Sequence, residues 1–384
     1  MDFLPRTLAY YLAAHGYLFF HLYRLAGKRR LVLMSLPLFV VMGLFPFCYH
    51  LLPTGSTAQK IFGRAGTVWQ PLAFFCLTVF AFRDILRLGG RLRRPFHKGA
   101  RSAGVPPLNR CLPLLLLVWA GVFAYGIHEA HSLRTTRLTL PLPLLPADAE
   151  SVRVAFAADL HIGPQTGPSV LRRAVEAIMA QKPDLILLGG DMLDDALQGT
   201  PADRELLARL AAPLGVFAVP GNHDAFGGHE RAVTFLESCG ITVLMDETRR
   251  VGPLRLLGID DPDVRAQRGG SNADVSALLD DLPRDAPVIL LAHRPELLAN
   301  SVGRFALQLS GHTHGGQIPL LKTLLEHASG TPTGLSRHSS PEGESLLYVT
   351  TGVGFSKLPI RLGAPPEIVV IDLTPGGTEA TAAS

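Results

Sequence analysis

VAFAADLHIG, residues 154–163, decides the fold. Five apolar residues run without interruption into Asp159, and His161 follows two positions further on. An apolar run with no polar alternation is what a strand covered on both faces requires. Two polar residues separated by one residue on an extended segment project in similar directions. The stretch, with its flank, reads as a buried strand from Ser151 to Ala157 that delivers a carboxylate and an imidazole to one place.

The same construction recurs four times downstream. LILLGGDMLD (185–194) carries Asp191 after its apolar run, and VFAVPGNHD (216–224) carries Asn222, His223 and Asp224. VILLAHRPE (288–296) carries His293, and ALQLSGHTHGG (306–316) carries His312 and His314. Glycines 190, 221 and 311 permit tight turns where these runs stop. Helical periodicity falls between them at Pro168 to Gln181, Ala202 to Ala211 and Glu230 to Ser238. Further strands are expected at Thr242 to Met245, Leu254 to Ile259, Ser345 to Thr350 and Glu367 to Asp372, whereas His327 to Gly343 reads as loop. Alternating strands and helices specify a layered α/β domain, here with two sheets because the strands are so many. Ligands of such sheets bind at the strand ends, where the polar residues fall.

Carboxylates, imidazoles and one amide oxygen form a donor set for Mn²⁺, Fe or Zn²⁺, and the lack of thiolates argues against a structural zinc site. The donors suffice for two ions, which a carboxylate such as Asp191 can bridge. Each motif alone is compatible with an ordinary turn: Asn222 or Asp224 would serve as a helix cap, and a lone His293 as a satisfied core residue. Five of them, each after an apolar run, specify one site.

The N-terminal third is a different material. The formal net charge of +4 averages two opposite parts. Met1 to Thr135 holds sixteen Lys/Arg against three Asp/Glu, a net +13, and the remainder holds twenty against twenty-nine, a net −9. Apolar residues at 47% and charged residues at 18% exclude a disordered chain, and four cysteines are too few for a disulfide scaffold. Runs without Lys, Arg, Asp or Glu lie near 7–23, 31–52, 65–82 and 111–128. At 1.5 Å per residue each approaches the ~30 Å of a hydrocarbon core. Basic residues flank the runs, so membrane anchoring is the expectation and no nucleic-acid partner is expected. Arg24 to Arg30 and Arg83 to Arg110 mark cytoplasmic connections, which puts the domain after residue 130 on the other side. The resulting plan is a transmembrane region at 1–135, a Pro-rich linker at 136–150 around LTLPLPLLP (138–146), a catalytic domain at 151–373 and a disordered tail at 374–384.

The order Asp-x-His, Gly-Asp, Gly-Asn-His-Asp, His and Gly-His-x-His resembles the calcineurin-like metallophosphoesterase family, over roughly Ser151 to Leu373. GHTHGGQ (311–317) followed by LYVTTGVGFSKLPIRLGAPPEIVVI (347–371) resembles its YkuE/YaeI-like, membrane-associated branch. The resemblance implies a four-layer sandwich of two mixed sheets flanked by helices, here preceded by a bundle of about four transmembrane helices. It implies two divalent metal ions. Asp159, His161 and His314 hold one, Asn222, His293 and His312 hold the other, and Asp191 bridges them. By the same resemblance His223 would protonate the leaving oxygen or stabilise charge on the transferred phosphoryl, and Asp224 would fix the tautomer of His223.

The function that follows is a membrane-anchored phosphoesterase cleaving a phosphodiester or pyrophosphate by attack of a metal-bridging hydroxide. Its substrate is a phosphate ester, with a lipid or envelope polymer in view, and its setting the bacterial inner membrane with the domain outside the cytoplasm. Two alternatives are a UDP-2,3-diacylglucosamine pyrophosphatase of lipid A synthesis, which needs the opposite topology, and a catalytically silent scaffold with a structural metal site. Gly315 to Leu325 (GGQIPLLKTLL) is apolar enough for a lip facing lipid, through Leu320, Leu321 and Leu324. Arg294, Arg304, Arg337, Lys357 and Arg361 are available to a second phosphate but read more simply as solvated surface residues.

Overall fold

The computed structural model describes residues 3–25, 33–37, 72–85, a few single positions near them, and 108–382. Within the last range, 164–165, 195–198, 227, 271–274, 281, 298–299, 319–329, 356–358 and 377–380 lie outside the described residues. The chain divides into two compact units, Met1–Ala124 and Tyr125–Ser384.

In the second unit, short apolar runs become strands because no other element can cover both of their faces. The first sheet contains β1 (Arg134–Leu142), β2 (Val152–Ala157), β3 (Leu185–Leu188), β4 (Val216–Ala218), β5 (Thr242–Val243), β12 (Glu367–Pro375) and β13 (Thr381–Ala382), in the order β13-β1-β12-β2-β3-β4-β5. From β2 to β5 neighbours run parallel. Ala157 lies opposite Leu188, and Leu188 opposite Ala218, so three strands end in line. The second sheet contains β6 (Glu247–Val251), β7 (Leu254–Ile259), β8 (Val288–Ala292), β9 (Leu307–Ser310), β10 (Gly334–Ser340) and β11 (Gly343–Val349), in the order β10-β11-β9-β8-β7-β6. Its central strands are parallel and both edges antiparallel.

Alternate residues of each strand build separate cores. Val154, Phe156, Leu185 and Leu187 of the first sheet meet Leu256, Ile289, Leu291 and Leu309 of the second. Ala155, Ala157, Ile186 and Leu188 face the helix Gly167–Ala180, which returns Val170, Leu171, Ala174, Val175 and Ile178 at helical spacing. Leu257, Ile259 and Leu290 pack with Leu279 of the helix Val275–Asp280. The layers are helix, sheet, sheet and helix, with both sheets mixed.

Three expectations are corrected. The proline-rich stretch read as a linker is β1, parallel to β12 over nine residue pairs from Arg134↔Glu367 to Leu142↔Pro375. Extended backbone suits both a spacer and a strand, and Leu138, Leu140 and Leu142, all buried, decide it. Part of the loop at 327–343 is β10, whose alternation of half-buried and exposed residues marks an edge strand. The tail contributes β13, paired with β1 at Leu138 and Thr139.

In the first unit, helix Phe3–Leu25 and a helix at 72–85 pack through Leu18, Ala73 and Phe80. Two histidines lie within the first run: the Trp69 indole N–H donates to His15 at 3.0 Å, and His21 lies 3.1 Å from Asp84. Among the described residues, one helix segment is long and apolar enough to cross a membrane, Pro113–Ala130 within helix Leu108–Ala130. Most of the run at 31–52 lies outside the described residues.

Candidate metal centre

Because the strands end in line, Asp159, Asp191 and Asn222 emerge together just past β2, β3 and β4. His293 follows β8, and His312 and His314 follow β9. The backbone turns sharply to aim them. Asp159, His161, Asp191, His312 and His314 all have φ between 46° and 70°, in the left-handed region that side chains other than Asp, Asn and His rarely enter. Backbone bonds fix the turns: Asp159 N–H donates to Gly190 O, and His161 N–H to Asp191 O, each at 3.0 Å. At Gly221 and Gly311 an added Cβ would overlap the carboxylates of Asp191 and Asp159, so those positions admit only hydrogen.

The seven residues named as ligands converge. Asp159, His161 and His314 form one cluster of donor atoms, and Asp191, His293 and His312 another. The Nε2 atoms of His161 and His314 are 3.0 Å apart. Nε2 of His293 lies 3.2 Å from Asn222 Oδ1, from His312 Nδ1 and from Asp191 Oδ2. Asp191 Oδ2 is also 3.8 Å from His161 Nε2, so this carboxylate stands between the clusters. Donor atoms held about 2.1 Å from one ion stand about 3.0–3.4 Å from each other, so the spacing fits a coordination shell. Two further features agree. His293 Nδ1 meets the carbonyl of Gly189 at 2.8 Å, which leaves Nε2 to face the cluster. His161 Nδ1 is buried without a hydrogen-bond partner.

Electrostatics prepare the donors. Burial pushes Asp159 up to about 7, helped by the Asp191 charge and opposed by His293. Burial also tends to raise Asp191, but the charge of His293 and its hydrogen bond, with His161, hold that carboxyl below the usual range. Burial disfavours the His293 cation, yet Asp191 outweighs it and lifts His293 to about 10. Burial lowers His161 and His312 to about 4, and drives His314 well below its ordinary value, with His161 and Arg361 adding to the effect. Neutral His161, His312 and His314 beside ionised Asp191 are the states a cation binds, while His293 has to lose its proton to join them.

The two residues proposed as catalysts separate. His223 stands beside the first cluster, its ring 4.6 Å from that of His161, and its Nδ1 is 3.4 Å from Asp194 Oδ1. The backbone N–H of His223 donates to Asp191 Oδ1 at 2.8 Å. Asp224 instead turns into the protein, accepting from the N–H groups of Gly221 at 2.9 Å, Leu193 at 3.0 Å and Met192 at 3.3 Å. The carboxylate beside the His223 imidazole is therefore Asp194, three residues after Asp191, and the expected tautomer-fixing role of Asp224 is not the one its position gives it. Asp194 was visible in GGDMLD but follows no apolar run of its own.

The basic residues also resolve. Arg294 is engaged by Asp261 and Asp263, Arg304 by Asp280, and Arg337 by Glu344. Lys357 lies outside the described residues. Arg361 is completely buried beside His314, the opposite of the surface residue expected from sequence.

The comparisons with known proteins agree with this geometry. Residues 152–316 match the calcineurin-like phosphoesterase family. A transmembrane protein with metallophosphoesterase domain from Danio rerio is 31% identical over 323 residues, covering 79% of this chain and 73% of that protein. An uncharacterized metallophosphoesterase of Helicobacter pylori strain J99 is 31% identical over 261 residues, covering 67% and 69%. The uncharacterized metallophosphoesterase YkuE of Bacillus subtilis is 30% identical over 294 residues, covering 73% of this chain and 97% of that protein. Two donor clusters at the ends of aligned strands, and these relatives over most of their length, make the chain a member of the metal-dependent, calcineurin-like metallophosphoesterase family and a hydrolase of phosphoric ester bonds.

Proposed function

We propose that the chain is a membrane-anchored, dinuclear phosphoesterase acting on a phosphodiester or pyrophosphate. The observation that carries the reading is the position of Asp191, whose Oδ2 lies 3.2 Å from His293 Nε2 and 3.8 Å from His161 Nε2, between two donor clusters. Asp159, His161 and His314 would hold one divalent ion (Mn, Fe or Zn), and Asn222, His293 and His312 the other. When bound, the ions supply Lewis acidity, lowering the pKa of water and neutralising phosphoryl charge. The chain supplies the rest. His161, His312 and His314 are held neutral by burial, whereas His293 and Asp159 give up a proton when an ion binds. His223, exposed enough to meet substrate and faced by Asp194, donates a proton to the departing oxygen. This matters most for alkoxide leaving groups, which depart poorly unprotonated.

The anchoring reading rests on the helix segment Pro113–Ala130, on the basic flanks of the apolar runs and on the transmembrane naming of relatives. The charge map supports a domain outside the cytoplasm, and likeness to bacterial relatives supports a bacterial inner membrane as the setting. A lipid phosphate as substrate is supported by the apolar sequence after His314; residues 319–329, with Leu320, Leu321 and Leu324, lie outside the described residues.

The test uses the full chain in detergent, loaded with Mn²⁺, Fe²⁺ or Zn²⁺, hydrolysing bis- and mono-p-nitrophenyl phosphate and a phospholipid phosphate. Two ions per chain and metal-dependent turnover, both lost in Asp191→Asn, are the expected outcome. Two bound ions with no turnover on any of the three substrates would overturn the enzyme reading in favour of a structural site.

A further inference from the structure

Among the described residues Arg361 is the largest side chain with essentially no exposure, and its guanidinium donates to no carboxylate among them. Burying a guanidinium without such a partner is costly, so its hydrogen bonds have to be complete. They go to main-chain carbonyls: Nε to Gly354 at 3.1 Å, Nη1 to Thr351 at 2.7 Å and Ala364 at 2.9 Å, and Nη2 to Gly352 at 3.3 Å and also to Gly354. Only a planar fork reaches so many acceptors from one centre. Nη2 also lies 3.4 Å from His314 Nδ1.

The carbonyls so held belong to the segment that cradles Asp159. Gly354 N–H donates to Asp159 O at 2.7 Å, and Val353 N–H to Ala158 O at 2.9 Å. At Gly352, a Cβ would stand 2.7 Å from that of Asp159. On its other side Arg361 is braced by the C-terminal turns of helix Leu108–Ala130. Arg361 N–H donates to Gly126 O at 3.0 Å, and Gly363 N–H donates to the buried Glu129 carboxylate at 2.9 Å. The approach is so close that a side chain at Gly126 would overlap Ile360.

We propose that Arg361 is a positioning residue of the metal centre, and that the helix end at Gly126 and Glu129 sets through it the geometry of Asp159 and His314. The inference rests on the reading of those residues as ligands. It makes ion affinity in the first cluster depend on a carboxylate at the end of the segment that is long and apolar enough to span a membrane. Electrostatics alone push the other way. A buried cation beside His314 repels a divalent ion, so if charge were the whole role of Arg361, its removal would tighten binding.

The test is Mn²⁺ affinity and stoichiometry, by calorimetry and electron paramagnetic resonance, on the full chain in detergent. It compares wild type, Arg361→Lys, Arg361→Met, Glu129→Ala and Glu129→Gln, with circular dichroism to establish folding. In Glu129→Ala and both Arg361 variants, one of two ions should bind at least about tenfold more weakly while the other is unchanged. Glu129→Gln, which keeps an oxygen acceptor for Gly363, should restore wild-type affinity. Wild-type or tighter binding of both ions in folded Glu129→Ala and Arg361→Met would overturn the inference and leave the dinuclear reading intact. Failure of wild type to bind two ions would overturn both.

Discussion

His223 Nδ1 faces Asp194 Oδ1 across 3.4 Å, although Asp224 is its neighbour in the chain. Sequence adjacency is a poor guide here because residues 222–226 form a short helix, which turns successive side chains about 100° apart. The helix points His223 outward and Asp224 into three backbone N–H groups.

The two carboxylates should therefore fail differently. Asp194→Asn should lower kcat for alkyl phosphate esters by about 10–100-fold, with a smaller loss on p-nitrophenyl esters, whose leaving group needs little protonation. Stability should change by less than about 1 kcal/mol, because Asp194 is partly exposed. Asp224→Ala should instead destabilise the fold by roughly 2–4 kcal/mol, since it strands buried N–H groups. Thermal unfolding and leaving-group kinetics on both variants separate the two roles.

Gly221→Ala places a methyl group 2.2 Å from Asp191 Oδ1 and 2.5 Å from the Asp191 backbone N. The carboxylate has to move, and the clusters it joins should lose ions before the fold is lost. The expected result by elemental analysis is under-occupied metal with a near-native circular dichroism spectrum. Full occupancy would show that Asp191 tolerates displacement.

Removal of metal should expose a pH dependence. His293 is raised to about 10 in the folded, metal-free chain against about 6.5 when unfolded. Between those values the folded state holds a proton that the unfolded state has released, so stability is fully present below about 6.5 and falls as pH rises. The slope is at most about 1.4 kcal/mol per pH unit. Asp159, raised to about 7, works in the same direction at lower pH. The melting temperature of chelator-treated protein should drop from pH 7 to 9. Metal-loaded protein should not follow, because a bound ion replaces the His293 proton.

A protein beginning at Glu150 would lack β1. Burial of Leu138, Leu140 and Leu142 is worth roughly 1.5–3 kcal/mol each, a sum comparable to the whole stability of an ordinary domain. Such a fragment should be unfolded or aggregated at 37 °C, whereas one beginning at Tyr125 should be soluble and show cooperative unfolding.

Much of this site was legible because its logic is local. An apolar run that stops at a polar residue, with a glycine just before it at Asp191, Asn222 and His312, identifies these three with Asp159 and His293 wherever the strands lie. The unread elements lack that signal. β6 carries Arg249 and Arg250 on exposed positions, and β10 reads Gly-Leu-Ser-Arg-His-Ser-Ser, so neither has an apolar run. β1 has one, but its prolines resemble a spacer until β12 is known to lie beside it. Asp194 and Arg361 depend on contacts between distant segments, which no spacing in the sequence encodes. The four expected spans remain a reading of sequence.

The pairing of β1 with β12 also sets a timetable. Arg134 leaves the ribosome more than two hundred residues before its register partner Glu367, so the first strand of the sheet must wait for almost the last. Throughout synthesis it is an unpaired, leucine-rich edge beside an apolar helix, the kind of segment that recruits other chains. Pro141 and Pro143 lack the N–H groups through which a passing strand would pair. The prolines that disguise the strand in the sequence are thus suited to guarding it until its partner arrives.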